Sequence, residues 1–183
     1  KVRSYHLLKH LSAKHRVFLG TFVDDPDDLK HLATVRGSCA GMYVGRIRPK
    51  WARLRSLTGL LHRESLTLAY YRDAGLRNWV QQTRLEHPID QTIVFSSAMA
   101  QYAPGDISML VDFVDVDSLK WTQYAPAHRW PLSWLYRREG ERLLAFERSV
   151  AAKAQHNFFV TANEAELFKA LAPESADKSE ALG

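Results

Sequence analysis

The stretch LVDFVDVDSLKW, residues 110–121, decides the fold. Leu110, Val111, Phe113 and Val114 form an apolar run broken only by Asp112. From Asp115 onward the composition turns polar and then takes helical spacing. A continuous apolar run that exits through acids into a helix is the pattern of a strand–loop–helix unit in a parallel sheet. Asp112 lies inside the strand, so its side chain needs an edge position or a buried partner, because an unpaired buried charge is costly. Asp115 and Asp117 lie on one side of an extended chain. Such a pair offers oxygen ligands to Mg2+ or Mn2+, but a three-residue DxD pattern often arises by chance. Asp117 and Ser118 are equally good helix N-caps.

Similar units lie on either side. Helix is predicted over residues 4–15, then a strand over 16–23 and an Asp-Pro turn over 24–28. Leu29, Leu32 and Val35 share a helical face, and a second strand covers 41–47. Trp51, Leu54, Leu57 and Leu61 recur at helical spacing, and Asp73 caps a helix to about residue 86 with Leu76, Val80 and Thr83 inward. A third strand over 90–95 precedes Ser96 and Ser97, which suit the cap of a short helix. The fourth strand ends at Val114. Trp130-Pro131 opens a long helix to about residue 154 with Leu135, Leu143, Phe146 and Val150 as its stripe. A fifth strand covers 157–161, a last helix 164–171, and residues 173–183 read as a polar tail or interdomain linker. Strands that alternate with helices predict an α/β class: a doubly wound, mostly parallel sheet in one domain over residues 1–172.

The 183 residues, 46% hydrophobic and 25% charged, fit one globular domain. A single cysteine, Cys39, excludes an internal disulfide framework and a cysteine-rich zinc site. It reads as a buried, inert thiol. His6 and His10 are one helical turn apart but lack a third ligand at a motif-like spacing. No uninterrupted apolar run approaches the roughly 20 residues that span a bilayer. Walker A, GxSxG, HExxH and GxGxxG motifs are absent.

In such sheets ligands bind beyond the carboxyl ends of the strands. That rule selects Ser96, Ser97 and Gln101 after the third strand, Asp115, Asp117 and Ser118 after the fourth, and Thr161 and Asn163 after the fifth. Each hydroxyl or acid among them has an alternative life as a helix cap. The net charge of +5 favours an anionic contact. It concentrates in Arg46, Arg48, Lys50, Arg53 and Arg55 around Trp51, with no acid until Glu64. This amphipathic segment suits an anionic membrane surface, or is a solvated helix face. No nucleic-acid-binding motif accompanies it, so nucleic acid is not expected as a partner.

Several strings, KVRSYHLLKHL (1–11), LGTFVDDP (19–26), FSSAMAQY (95–102), VDFVDVDS (111–118) and YRRE (136–139), together resemble one family. It is the sugar transferases of exosortase (PEP-CTERM) exopolysaccharide loci, bacterial members of glycosyltransferase family 4 with the GT-B fold. The resemblance runs from Lys1 to about Pro173. It implies a Rossmann-like N-terminal domain that receives a glycan or lipid-linked acceptor, while a C-terminal domain holds most of the nucleotide-sugar donor. The family is retaining and usually needs no metal or other cofactor. The loops after the third, fourth and fifth strands would line the acceptor side of the cleft, with Asp115, Asp117 and Ser118 bonding sugar hydroxyls, and no residue is assigned as the catalytic base. Localisation would be cytoplasmic, peripheral at the inner membrane. Family members also begin with a further strand and a glycine-containing loop, and carry a Glu-rich donor motif in the C-terminal domain. Neither is in this sequence, so a fragment that is inactive alone is expected. Two other readings stand beside this one: a metal-dependent GT-A transferase using Asp115 and Asp117, and a non-catalytic glycan-binding module.

Overall fold

The computed structural model describes residues 2–182, apart from the side chains of Val2, Pro26 and Leu61. Along the chain run α1 (Val2–Ser12), β1 (Phe18–Val23), α2 (Leu32–Gly37), β2 (Gly41–Arg46), α3 (Pro49–Ser56), α4 (Thr58–Leu61), α5 (Leu66–Tyr70) and α6 (Ala74–Glu86). There follow β3 (Gln91–Phe95), β4 (Ser108–Val114), α7 (Asp117–Tyr124), α8 (Leu132–Lys153), β5 (His156–Phe159), α9 (Ala162–Leu171) and β6 (Ser179–Ala181). The chain divides into two units, Lys1–Ala52 with Asp73–Pro88, and Arg53–Arg72 with Ile89–Gly183.

In the first unit β1 and β2 pair in parallel, from Phe18 opposite Gly41 to Val23 opposite Arg46. Helix α6 approaches closely because Gly20 has no side chain: a Cβ there would lie 2.6 Å from Leu76 Cδ1 and 3.3 Å from the Trp79 ring. Asp73 caps α6 as its sequence position predicts, accepting the Leu76 N–H at 2.7 Å. The Tyr43 hydroxyl donates to the same oxygen at 2.8 Å, which ties β2 to the helix start.

In the second unit β3, β4, β5 and β6 form a four-stranded parallel sheet in that order. Paired residues share a face, and Val94, Val111, Asn157 and Ser179 are all buried. Met109, Val111, Phe113 and Phe159 on that face pack against Val150, Ala151 and Ala154 of α8 and Ala165 and Phe168 of α9. The crossovers β4–β5 and β5–β6 therefore cover the same face, as a sequential strand order with one handedness requires. The rings of Phe113, Phe159 and Phe168 lie 5.0–5.3 Å apart at its centre.

Two expectations change. The predicted strands are parallel, but they form a two-stranded and a four-stranded sheet rather than one. The polar tail is ordered through residue 182: Pro173–Lys178 is a 3-10 helix and β6 is a sixth strand. Its polarity is spent on the end of α8. Lys178 Nζ donates to the Ala152 and Ala154 carbonyls at 2.8 and 3.1 Å, and Arg148 grips Glu174 with two hydrogen bonds of 2.7 and 3.0 Å. Gly183 lies outside the described residues.

Helix α8 carries the expected stripe, with Leu143 and Val150 buried. The same face carries two acids, Glu139 and Glu147, each buried with no exposed surface. Glu139 closes the start of α5. Its carboxylate accepts from Ser65 Oγ at 2.6 Å, Leu66 N at 2.7 Å, Thr67 N at 2.9 Å and Thr67 Oγ1 at 2.8 Å. Neighbouring Arg138 donates to the Gly59 and Glu64 carbonyls at 2.9 and 3.1 Å. Segment 59–67 is thereby fastened to α8 by polar bonds. Glu139→Gln places an amide among these donors and should lower the urea-unfolding free energy by about 2–4 kcal/mol. The exposed control Glu141→Gln should shift it by less than about 0.5 kcal/mol; equal effects from the two would remove Glu139 from this role.

Candidate functional site

The carboxyl ends of β3, β4 and β5 meet at one edge of the four-stranded sheet, since the strands are parallel. Two of them leave through unusual backbone. Val114 has φ 68° and Ser96 φ 74°, in a region that disfavours side chains, and a β-branched valine most of all. The Asp115 N–H donates to the Phe113 carbonyl at 2.9 Å, so Val114 is the centre of a γ-turn, and the β4–β5 register shifts between Asp112 and Val114. The turn frees the Val114 N–H from the ladder, and Asp112 Oδ1 accepts it at 3.0 Å. This gives Asp112 the buried partner the sequence demands, at 4% exposure. Asp112 shapes the strand exit and faces no solvent. Strain of this kind collects at functional edges.

Beyond the turn Asp115 and Asp117 converge as their spacing predicts, but on a lysine. Lys120 Nζ lies 2.7 Å from Asp115 Oδ2 and 3.1 Å from Asp117 Oδ1. Burial draws the ammonium down, yet the hydrogen bonds and charges of both aspartates outweigh it and lift its pKa to about 12. The pair thus already holds a permanent cation, with the three side chains 32–48% exposed. Among the described residues no group of three or more His, Cys, Asp or Glu is arranged to hold a metal ion.

Neither Asp117 nor Ser118 caps α7 through its side chain; the residue preceding the helix is Val116. The free N–H groups are met from far along the chain instead. Glu164 Oε2 accepts from Val116 N at 2.9 Å, and Glu147 Oε1 from Ser118 N at 3.3 Å. Ser97 Oγ also donates to Glu147 Oε1, at 3.4 Å. Glu147 Oε2 and Ser118 Oγ are buried without a hydrogen-bond partner. Burial pushes the Glu147 pKa up to about 7; hydrogen bonds from Ser118 and Ser97 pull it down, and the Asp117 charge adds to the rise.

The remaining predicted positions sort by burial. Ser97 and Ser118 are buried in the Glu147 cluster. Ser96 is half-buried and makes no cap bond. Gln101 Nε2 donates to the Leu68 and Ala98 carbonyls at 3.2 and 2.9 Å and is spent on packing. Thr161 caps α9 by accepting the Glu164 N–H at 3.2 Å, and is exposed, as is Asn163. A ridge of exposed Lys120, Thr161 and Asn163, with Asp115 and Asp117 half-buried among them, therefore lies over a buried layer of Ser97, Asp112, Ser118 and Glu147. The ridge can exchange hydrogen bonds with a hydroxyl-bearing ligand; the buried layer sets its geometry. Sequence reasoning missed Glu147, whose signal is an acid on an otherwise apolar helix face, and Glu164, whose signal is its capping-box spacing from Thr161.

The basic segment is exposed at Arg46, Arg48, Lys50, Arg53 and Arg55. Its predicted stripe points outward: Trp51, Leu54 and Leu57 are 68%, 60% and 45% exposed, while Ala52, Ser56 and Gly59 are buried. The Leu61 side chain lies outside the described residues. Cys39 is half-buried, and burial pushes its thiol up, away from a nucleophilic thiolate. Among the described residues no helix is long and apolar enough to cross a membrane.

The Glu147 carboxyl titrates near 7 when folded, against an ordinary 4.5. In that window the folded chain holds more protons than the unfolded one, so this group's contribution is fully present below about 4.5 and is lost as pH rises through 7. Glu147→Gln keeps the Oε1 acceptor without the charge. At pH 8 it should exceed wild type in unfolding free energy by about 3 kcal/mol, the gap closing toward pH 4.5. A pH-independent gap in parallel denaturation curves would show that Glu147 does not titrate there.

No family model matches the chain, and no curated protein or solved structure matches it.

Proposed function

We propose that the chain is the N-terminal, acceptor-side domain of a retaining glycosyltransferase of the GT-B class. In this reading the enzyme moves a sugar from a nucleotide-sugar to a glycan or lipid-linked acceptor in exopolysaccharide synthesis, at the cytoplasmic face of the inner membrane. The observation that carries it is the ridge at the carboxyl edge of the β3–β4–β5 sheet. Parallel strands bring Asp115, Asp117, Lys120 and Thr161 to the side where α/β sheets take their ligands. The groups are oriented polar side chains without a nucleophile–base pair among them, which suits the binding of sugar hydroxyls more than bond cleavage. The donor nucleotide falls mainly to the second domain that a GT-B enzyme requires. The family strings quoted above supply the substrate class, and the fold alone does not.

The Lys120 ammonium speaks against a GT-A centre, because a divalent ion between Asp115 and Asp117 would have to displace it. Titration calorimetry should give no Mn2+-dependent affinity for UDP. Glycan titrations followed by NMR should instead show weak binding that Asp115→Ala with Asp117→Ala lowers at least roughly fivefold, each side-chain hydrogen bond contributing about 1 kcal/mol. A Mn2+–UDP complex lost in that double variant would replace this reading with GT-A.

The outward Trp51 and its flanking cations support docking on an anionic leaflet. Replacing Arg48, Lys50, Arg53 and Arg55 by serine removes about 1 kcal/mol each near a charged surface. Binding to phosphatidylglycerol vesicles should weaken by two orders of magnitude or more at low salt; unchanged co-sedimentation would end the docking role of this segment.

A further inference from the structure

Helices α7 and α8 form a hairpin that projects from the sheet. Helix α7 leaves the carboxyl end of β4, and α8 must return to the amino end of β5. Glu147 lies beside Ser97 and Ser118, at the level of the strand exits. The 15 residues of α8 from Leu132 to Phe146 therefore run on the carboxyl side, a reach of about 22 Å at 1.5 Å per residue. The two helices stay close because Gly140 admits the Ser118 carbonyl, 3.0 Å from where a Cβ would stand. Trp121 and His128 pack on Tyr136 with ring centroids 5.5 and 4.8 Å apart.

The outer end of this hairpin is apolar and bare. Tyr124, Trp130, Leu132 and Trp134 are 54%, 80%, 46% and 51% exposed. Single exposed apolar residues need no explanation, but two tryptophans, a tyrosine and a leucine within eleven positions of one turn do. Their flanks are cationic: Arg129 and Arg137 are exposed, and no acid occurs from Lys120 to Arg138. The other acid-free stretch with outward apolar groups, residues 53–63, hangs on the same part of α8 through Arg138 and its bonds to Gly59 and Glu64. Leu54 and Leu57, with Arg53 and Arg55, are exposed there. Two segments far apart in sequence thus bring the same composition to one helix.

We propose that the α7–α8 hairpin tip is a second membrane anchor, inserting Trp130 and Trp134 into the interface of an anionic bilayer while Arg129 and Arg137 meet its headgroups. This deepens the docking part of the reading above and stands apart from the transferase chemistry. Tryptophan and tyrosine favour the headgroup level of a bilayer, where an apolar body and a polar edge are both satisfied. A flank of arginines without acids complements lipid phosphates. It opposes a second copy of this chain, because a two-fold interface would set Arg129 and Arg137 against their own images. A glycan platform is also disfavoured, since the tip lacks the carboxylates that ring hydroxyls would use.

The test compares the full chain with Trp130→Ser/Trp134→Ser and Trp130→Phe/Trp134→Phe on phosphatidylglycerol and phosphatidylcholine vesicles. Co-sedimentation and quenching by lipids brominated high on the acyl chain are the readouts, with circular dichroism confirming the fold. Wild type should bind the anionic vesicles with quenched tryptophan emission and bind the zwitterionic ones weakly. The serine variant should bind at least roughly tenfold more weakly, as expected for withdrawing two interfacial indoles, while the phenylalanine variant retains most of the binding. Unchanged binding by the serine variant would overturn the anchor even if the Arg48, Lys50, Arg53 and Arg55 replacements still abolish docking. A wild-type dimer that only the serine variant dissolves would overturn it too, giving the face to a second copy.

Discussion

Two carboxyl groups on one helix must be satisfied away from water, and that constraint organises the larger unit. Glu139 and Glu147 lie on α8 with no exposed surface, eight residues and about 12 Å apart along the axis. Each closes the start of another helix, Glu139 that of α5 and Glu147 that of α7. They meet the cost of burial in different ways. Glu139 has four hydrogen-bond donors around it, which offset the loss of water. Glu147 has weak, long bonds and an unpartnered oxygen, so a proton is favoured. A slip of α8 by one residue would swing both side chains by about 100° and orphan two helix starts at once. The projecting hairpin owes its fixed position to that double attachment.

The parts of this architecture that were legible in the sequence are local. Apolar runs at 18–23, 91–95 and 108–114 became strands because nothing outside them had to be known. Asp73 before α6 and Thr161 before α9 became caps because the side chain and the N–H groups it serves lie three residues apart. Parallel pairing followed from the alternation of strands and helices. What failed had causes distant in the chain. Ser118 looks like a cap, but its N–H is taken by an acid 29 positions later, and Val116 N–H by one 48 positions later. Residues 173–182 look like linker because their lysine, serines and acids are polar, yet those groups serve the end of α8 and the open edge of β5. Nothing in a valine announces the left-handed turn at Val114, where Asp112 Oδ1 takes its N–H and Asp115 N–H bonds to the Phe113 carbonyl.

The carboxylates of the 110–121 stretch show how one missed neighbour changes a chemical reading. Two aspartates at this spacing suggest a divalent cation when considered alone. Lys120 stands three residues beyond Asp117, within reach on the first helical turn, and satisfies both. That lysine stands in the sequence one helical turn beyond Asp117. Asp112, the third acid, is occupied by the Val114 N–H.

The consequence for function lies in the division between the two layers at this edge. Proton transfer to a ligand requires a titrating group that the ligand can touch. Glu147 titrates nearest neutrality here, and it is sealed under α7 and the 97–102 turn. Asp115 and Asp117, which a ligand can touch, are tied to an ammonium whose pKa is lifted to about 12 and so stays charged at neutral pH. The exposed groups are therefore suited to orienting hydroxyls and the sealed one to joining Ser97 to the start of α7. Under the proposed acceptor-side role, such an edge would position a substrate and leave bond-making to groups brought from elsewhere.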